Sequence, residues 1–113
     1  MALEIVNSGA SIPAHAGFET YSVLTRLPPP HRASPERASG FLHEAFGEHW
    51  ITLSGSSLSK LVRDFAELGI WGGAAYDGLI GATVKSVGAK LYTCDRRART
   101  TYALLGVDIE FLG

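Results

Sequence analysis

Four short runs, residues 11–14, 49–53, 89–95 and 107–112, are largely apolar, and amphipathic segments of helical period lie between them. A strand that buries one face alternates apolar and polar residues. A run that is mostly apolar asks for cover on both faces, which is the situation of a parallel sheet flanked by helices. The alternation therefore predicts an α/β fold with a mostly parallel sheet. Residues 2–6, Ala-Leu-Glu-Ile-Val, read as one more extended piece, and the turn-forming Asn7-Ser8-Gly9 separates it from the run at 11–14.

The helices are delimited by residues that cannot continue them. A helix over 16–27, with Phe18, Val23, Leu24 and Leu27 as core candidates, is stopped by Pro28, Pro29 and Pro30. Ser34-Pro35-Glu36-Arg37 opens the next, because Ser is a preferred N-cap and Pro is preformed for the first helical position. Ala38, Phe41, Leu42, Ala45 and Phe46 form its expected core stripe, up to Gly47. A third helix carries Leu58, Leu61, Val62, Phe65, Ala66 and Leu68 at helical spacing as far as Gly69. The helix over 74–87 is expected to bury Tyr76, Leu79, Ile80, Thr83, Val84 and Val87 and closes at Gly88; the last, over 96–105, closes at Gly106.

With 113 residues the chain is one domain, 1–113, with room for a single core. A net charge of −1 offers no global attraction to nucleic acid, so such binding has to come from a local patch. The lone Cys94 excludes an internal disulfide and a cysteine-rich zinc site, and His15, His43 and His49 make no zinc-ligand spacing with it. Cys94 itself reads as a buried strand residue without a paired base. No apolar run approaches the roughly 20 residues of a membrane span. The N-terminal residues, which carry Glu4, lack the basic and apolar regions of a signal peptide. A soluble, cytoplasmic protein is expected, with no membrane partner.

Three carboxylates break this pattern. Between Glu4 and Arg26 the only formally charged residue is Glu19, set among Phe18, Tyr21, Val23 and Leu24. Asp77 interrupts the apolar stretch WGGAAYDGLIGA, and Asp95 stands at the carboxyl end of a strand, where open parallel sheets gather their ligands. An ionised carboxylate in apolar surroundings needs a partner, hydrogen bonds or a cation. A few such oxygen donors suffice for a hard cation such as Mg²⁺, which keeps several of its waters. Each also has a plainer explanation: Asp95 as an N-cap, Asp77 as a complement to the helix dipole, Glu19 paired with His15 or Arg26 or turned to solvent. The residues alone leave both readings open.

The stretches FETYSVLTRLPPPHRASPE and YDGLIGATVKSVGAKLYTCDRRARTTYALLGVDIEFL, with the leucine-rich segments between them, resemble a PIN-domain ribonuclease, specifically the toxin component of the VapBC toxin–antitoxin type. The combined pattern E-T-Y-x-V-L-T-R-L-P, Y-D-x-L-I and T-x-D-R-R-A is specific, and the match runs over about 12–113. The resemblance implies a PIN-like three-layer α/β/α sandwich. It places the metal-binding, catalytic carboxylates on Glu19, Asp77 and Asp95, with the Thr93 hydroxyl as a support for the site. It further implies Mg²⁺- or Mn²⁺-dependent hydrolysis of an RNA phosphodiester, commonly in tRNA or rRNA, a homodimer, and a small cognate VapB-type antitoxin that blocks the site.

One departure accompanies the match. Family members open with a strand of the type V-x-D-x-S/T, whose Asp is the first metal ligand, followed by two helices before the segment that here begins near Ile12. That pattern is absent, so an N-terminally truncated fold is expected, and neither Glu4 nor Asn7 is carried into the site. In the family this strand is central to the sheet. Its loss leaves open poor folding, exchange of elements with a second copy, or insertion of Ala-Leu-Glu-Ile-Val into the vacated slot. It also sets beside the enzyme an alternative: a catalytically impaired PIN domain that binds antitoxin or RNA.

The local positive charge that RNA requires is available in Asp95-Arg96-Arg97-Ala98-Arg99 and in Arg26, His31 and Arg32. Arg97 is the first choice for a phosphate contact, with Arg96 and Arg26 beside it; a solvated helix face is the plainer reading of the arginine cluster. Single-stranded or looped RNA is favoured over duplex, because a scissile backbone has to enter a narrow acidic cleft. Trp50, Trp71, Tyr76 and Tyr102 could stack on bases, but their positions read as core or dimer contacts.

Overall fold

The computed structural model describes residues 5–6 and 11–112. Its elements in order are β1 (Ile5–Val6), β2 (Ile12–Pro13), α1 (Ala14–Arg26), α2 (Pro35–Phe46), β3 (Trp50–Ile51), α3 (Gly55–Leu68), α4 (Ala74–Ser86), β4 (Leu91–Thr93), a 3₁₀ turn (Arg96–Ala98), α5 (Arg99–Leu105) and β5 (Ile109–Phe111). Glu4, Asn7, Ser8 and the turn expected there lie outside the described residues.

Helix boundaries follow the punctuation. Leu27, held extended ahead of the prolines, ends α1. Ser34 Oγ accepts the Arg37 N–H at 3.2 Å and Ser54 Oγ accepts the Ser57 N–H at 3.2 Å, so α2 and α3 are both capped by serine. At the far end of α3, Gly69 takes a left-handed conformation (φ 73°) and its N–H returns to the Phe65 carbonyl. The expected helix over 96–105 is divided: Asp95 accepts the Arg97 N–H and starts a separate 3₁₀ turn ahead of α5.

β2 runs parallel to β3, and β4 runs parallel to β5. The single parallel sheet expected from the sequence is replaced, among the described residues, by two small sheets, one of β2 and β3 and one ordered β1-β4-β5. β1 is antiparallel to β4, with Ile5 opposite Tyr92 and Val6 opposite Leu91, and it also lies near β2. Two residues running against the parallel direction supply β4 with a partner on that side but do not carry the ladder across to β2.

The core joins β2, α1, α2, α4, β4 and α5: Ile12, Ala16, Ile80, Val84, Leu91 and Tyr102 are fully buried, with Leu42 and Phe46 closing one side. Gly17 lets α1 settle directly on the six-membered ring of Trp50. Gly78 does the same for α4 on Phe65, whose Cζ would lie 2.6 Å from an added Cβ.

Several expected core residues face outward. Phe18 is 71% exposed, because the buried stripe of α1 is Ala16, Gly17 and Thr20. Phe41 points out of α2, whose buried residues are Ala38, Leu42 and Phe46. On α3 only Phe65 is buried, and Leu58, Val62 and Leu68 are exposed. Tyr76 and Val87 are likewise exposed. Cys94 is exposed rather than buried on a strand: β4 ends at the buried Thr93, and the next side chain points the other way. No helix among the described residues is long and apolar enough to cross a membrane.

Candidate functional site

Glu19, Val23 and Arg26 recur at intervals of four and three residues along α1, so they share a face. That face meets the N-terminal turn of α4, which brings Gly73 and Asp77, and the segment after β4, which brings Asp95 and Arg97. Together these seven residues line an open cavity of about 580 Å³. Five of them, Glu19, Asp77, Asp95, Arg97 and Arg26, are the candidates drawn from sequence. Val23 and Gly73 were not anticipated; the signal for Val23 was its helical interval from Glu19, and for Gly73 its place ahead of the Asp77 turn.

The plainer explanations of the carboxylates hold for Asp95 and Glu19, and all three carboxylates line the cavity. Asp95 caps the 3₁₀ turn, its Oδ1 accepting the Arg97 N–H at 3.1 Å and Arg97 Nε at 3.2 Å, while it also lines the cavity. Its own N–H donates to Thr93 Oγ1 at 3.0 Å. Thr93 is fully buried, so its hydroxyl fixes the Asp95 backbone from behind and does not face the cavity. Glu19 lies 4.0 Å from His15 Nε2, one turn earlier on α1. Asp77 sits in the first turn of α4, half-buried.

Burial, and after it the negative charges of Asp95 and Glu19, push the Asp77 carboxyl above the usual 3.8, against the pull of Arg97 and His15. The charges of Asp95 and Glu19 are therefore both felt at Asp77. Oxygen-only donors under mutual repulsion suit a hard, hydrated cation. They do not form a closed cage: among the described residues no three His, Cys, Asp or Glu side chains are already gathered to hold a metal ion. The chemistry of the donors, carboxylate oxygens alone, is that of a ligand set for a hard cation such as Mg²⁺ or Mn²⁺.

The remaining basic candidates lie outside the cavity. Arg96 and Arg99 stand over the Phe111 ring of β5, at 4.7 Å and 5.1 Å from its centroid. Arg32 donates from Nε to the Leu27 carbonyl at 2.9 Å, bracing the loop after α1, and His31 is exposed on that loop. The aromatic candidates divide. Tyr102 is core and Trp50 packs on Gly17, whereas Trp71 and Tyr76 are exposed. The Tyr76 ring stacks on His15, with centroids 5.0 Å apart and planes inclined by 6°.

Ribonuclease VapC40 of Mycobacterium tuberculosis, from strains H37Rv and CDC 1551 / Oshkosh, is 44% identical over 111 residues, which span 98% of this chain and 83% of the relative. Ribonuclease VapC27 of M. tuberculosis H37Rv is 41% identical over 100 residues, spanning 88% of this chain and 72% of the relative. No family model matches the chain, and no solved structure gives a significant match.

Proposed function

Since the chain belongs to the VapC ribonuclease family of PIN-domain toxins, we propose that it is an endoribonuclease that hydrolyses RNA phosphodiester bonds in the cavity between α1, α4 and the end of β4. The observation that carries the reading is the convergence of Glu19, Asp77 and Asp95, from three separate elements, with Arg26 and Arg97 on one cavity.

Glu19, Asp77 and Asp95 are the residues that would hold Mg²⁺ or Mn²⁺. When bound, the ion supplies positive charge to the phosphoryl oxygens and acidifies water for attack. Arg26 and Arg97 receive the phosphate oxygens at the mouth of the cavity, since guanidinium forks match phosphate geometry. Asp95 holds the Arg97 backbone and side chain together, which keeps that guanidinium beside the acidic floor. Thr93 in turn keeps Asp95 in place. Arg96 and Arg99 extend the positive surface toward β5, where the RNA backbone continues. Single-stranded or looped RNA of the tRNA or rRNA class is the substrate, and a small VapB-type antitoxin is the partner that silences the site. A homodimer is part of the same reading, with the outward Leu58 and Val62 of α3 on the surface a second copy covers.

The test is cleavage of tRNA and rRNA by the purified chain with added Mg²⁺ or Mn²⁺. Cutting is expected with either ion and is expected to vanish in Asp77→Asn and Asp95→Asn. Cutting that persists in a chelator, or in both variants, overturns the reading.

A further inference from the structure

The His15–Tyr76 pair lies outside the fold's core cluster and joins two helices that line the cavity. His15 sits one turn before Glu19 on α1, and Tyr76 immediately precedes Asp77 on α4, so the stacked rings bridge the two helices that supply two of the three carboxylates. His15 also lies close enough to Asp77 for its charge to be felt there. The stack is nearly parallel, and Tyr76 nevertheless leaves 58% of its surface in solvent. An exposed aromatic ring backed by a second ring is fixed in orientation before anything binds it, which removes part of the ordering cost of a stacking contact.

The surroundings select the kind of ligand. A protein anchor residue fills an apolar pocket in a desolvated patch. Tyr76 instead stacks on His15, which lies 4.0 Å from Glu19, and it directly precedes Asp77; Glu19 and Asp77 both line the cavity that also carries Arg26 and Arg97. A ligand that presents a flat π-face and a phosphate a short distance apart meets both features, and a nucleotide is that ligand.

We propose that Tyr76, braced by His15, is a nucleobase-stacking residue that seats the base next to the scissile phosphate. The proposal rests on the endoribonuclease reading above and adds to it a group that recognises the base rather than the backbone. Every base has a π-face, so Tyr76 contributes affinity and register with little preference for sequence. His15 is a positioning residue for that ring.

The experiment measures binding of a fluorescent single-stranded RNA oligonucleotide to the full chain in chelator, beside an abasic oligonucleotide of the same length. Tyr76→Ala is expected to weaken RNA binding about tenfold and to leave abasic binding unchanged. Tyr76→Phe and Tyr76→Trp are expected to bind RNA normally. His15→Ala should show part of the loss, restored by His15→Phe, which a purely structural role for His15 would not produce. Equal loss on both oligonucleotides, or no loss on either, overturns the proposal. If Tyr76→Ala keeps full RNA affinity but loses affinity for a VapB-type antitoxin, the ring belongs to a protein interface and the proposal is likewise wrong. A wild-type chain that neither binds nor cuts RNA overturns the parent reading and this one together. One that does both, with Tyr76→Ala indistinguishable from it, overturns this one alone.

Discussion

Arg97 reaches Asp95 twice, through its backbone N–H at 3.1 Å and through Nε at 3.2 Å, and both bonds end on the same oxygen, Oδ1. The pair is lopsided in exposure: the Asp95 side chain is 14% exposed and that of Arg97 is 93% exposed. Asp95 is thus anchored from one side, and the guanidinium that anchors it remains in water beside the cavity.

Arg97→Ala should change RNA binding far more than stability. An ion pair with so exposed a member is worth at most about 1 kcal/mol, so urea unfolding should shift little. RNA affinity should fall, and the slope of log affinity against log salt should shrink by about one phosphate contact. An unchanged salt slope would show that Arg97 does not touch the backbone.

Asp77 holds its proton more tightly in the folded chain than in the unfolded one, chiefly through burial and then through repulsion by Asp95 and Glu19. Between 3.8 and the raised folded value the folded state binds more protons, so stability falls as pH rises through that window. At neutral pH the ionised group is therefore a destabilising one. Asp77→Asn should raise the melting temperature at pH 7 while abolishing cleavage, and the gain should shrink below that window. A variant that melts lower than wild type at pH 7 contradicts this account.

Saturating Mg²⁺ or Mn²⁺ should stabilise the wild type, by about 2.7 kcal/mol at a hundred times the dissociation constant. Asp77→Asn and Asp95→Asn should lose most of that gain. Thermal melts with and without the ion, at constant ionic strength, separate binding from general screening.

Two helical glycines should respond oppositely to alanine. At Gly78 the new Cβ would meet the Phe65 ring at 2.6 Å, and overpacking of this kind costs about 1–3 kcal/mol. At Gly40, on the exposed side of α2, nothing lies within 4 Å. There alanine should stabilise by about 0.5–1 kcal/mol. Denaturant midpoints of the two variants provide the comparison, and combining Gly78→Ala with Phe65→Leu should recover part of the loss.

Val62, 68% exposed, sits one turn from the exposed Leu58 on the same face of α3. Val62→Asp should dissociate a homodimer that uses this face without lowering monomer stability. Sedimentation velocity over a range of concentrations reads the result, and an unchanged sedimentation profile rules the face out.

Much of the fold was legible because its signals are local. Ser34 with Pro35, the prolines after Leu27, and Gly69, Gly88 and Gly106 act within a turn of their own position, and the helices begin or end beside them. Core membership was less legible. The hydrophobic pattern of α3 is strong, yet only Phe65 is covered by the rest of the chain. Phe18 lies beside the buried stripe of α1 and not on it. Which face of an amphipathic helix is buried, and how much of it, depends on what packs there, and periodicity carries no information about the neighbour.

For the site, the sequence by itself determined which residues are chemically out of place: a carboxylate in an uncharged helix, another in an apolar turn, and a third at a strand end beside three arginines. Charge and hydropathy are properties of the residue and its near neighbours, so they survive without coordinates. Only the tertiary structure decided that Glu19, Asp77 and Asp95 share one cavity with Arg26 and Arg97. It decided as well that Arg96 turns instead to Phe111 and that Tyr76, expected in the core, is exposed and stacks on His15. Those outcomes depend on how α1 approaches α4 and β4, with more than fifty residues of sequence between Glu19 and Asp77, and packing sets that approach.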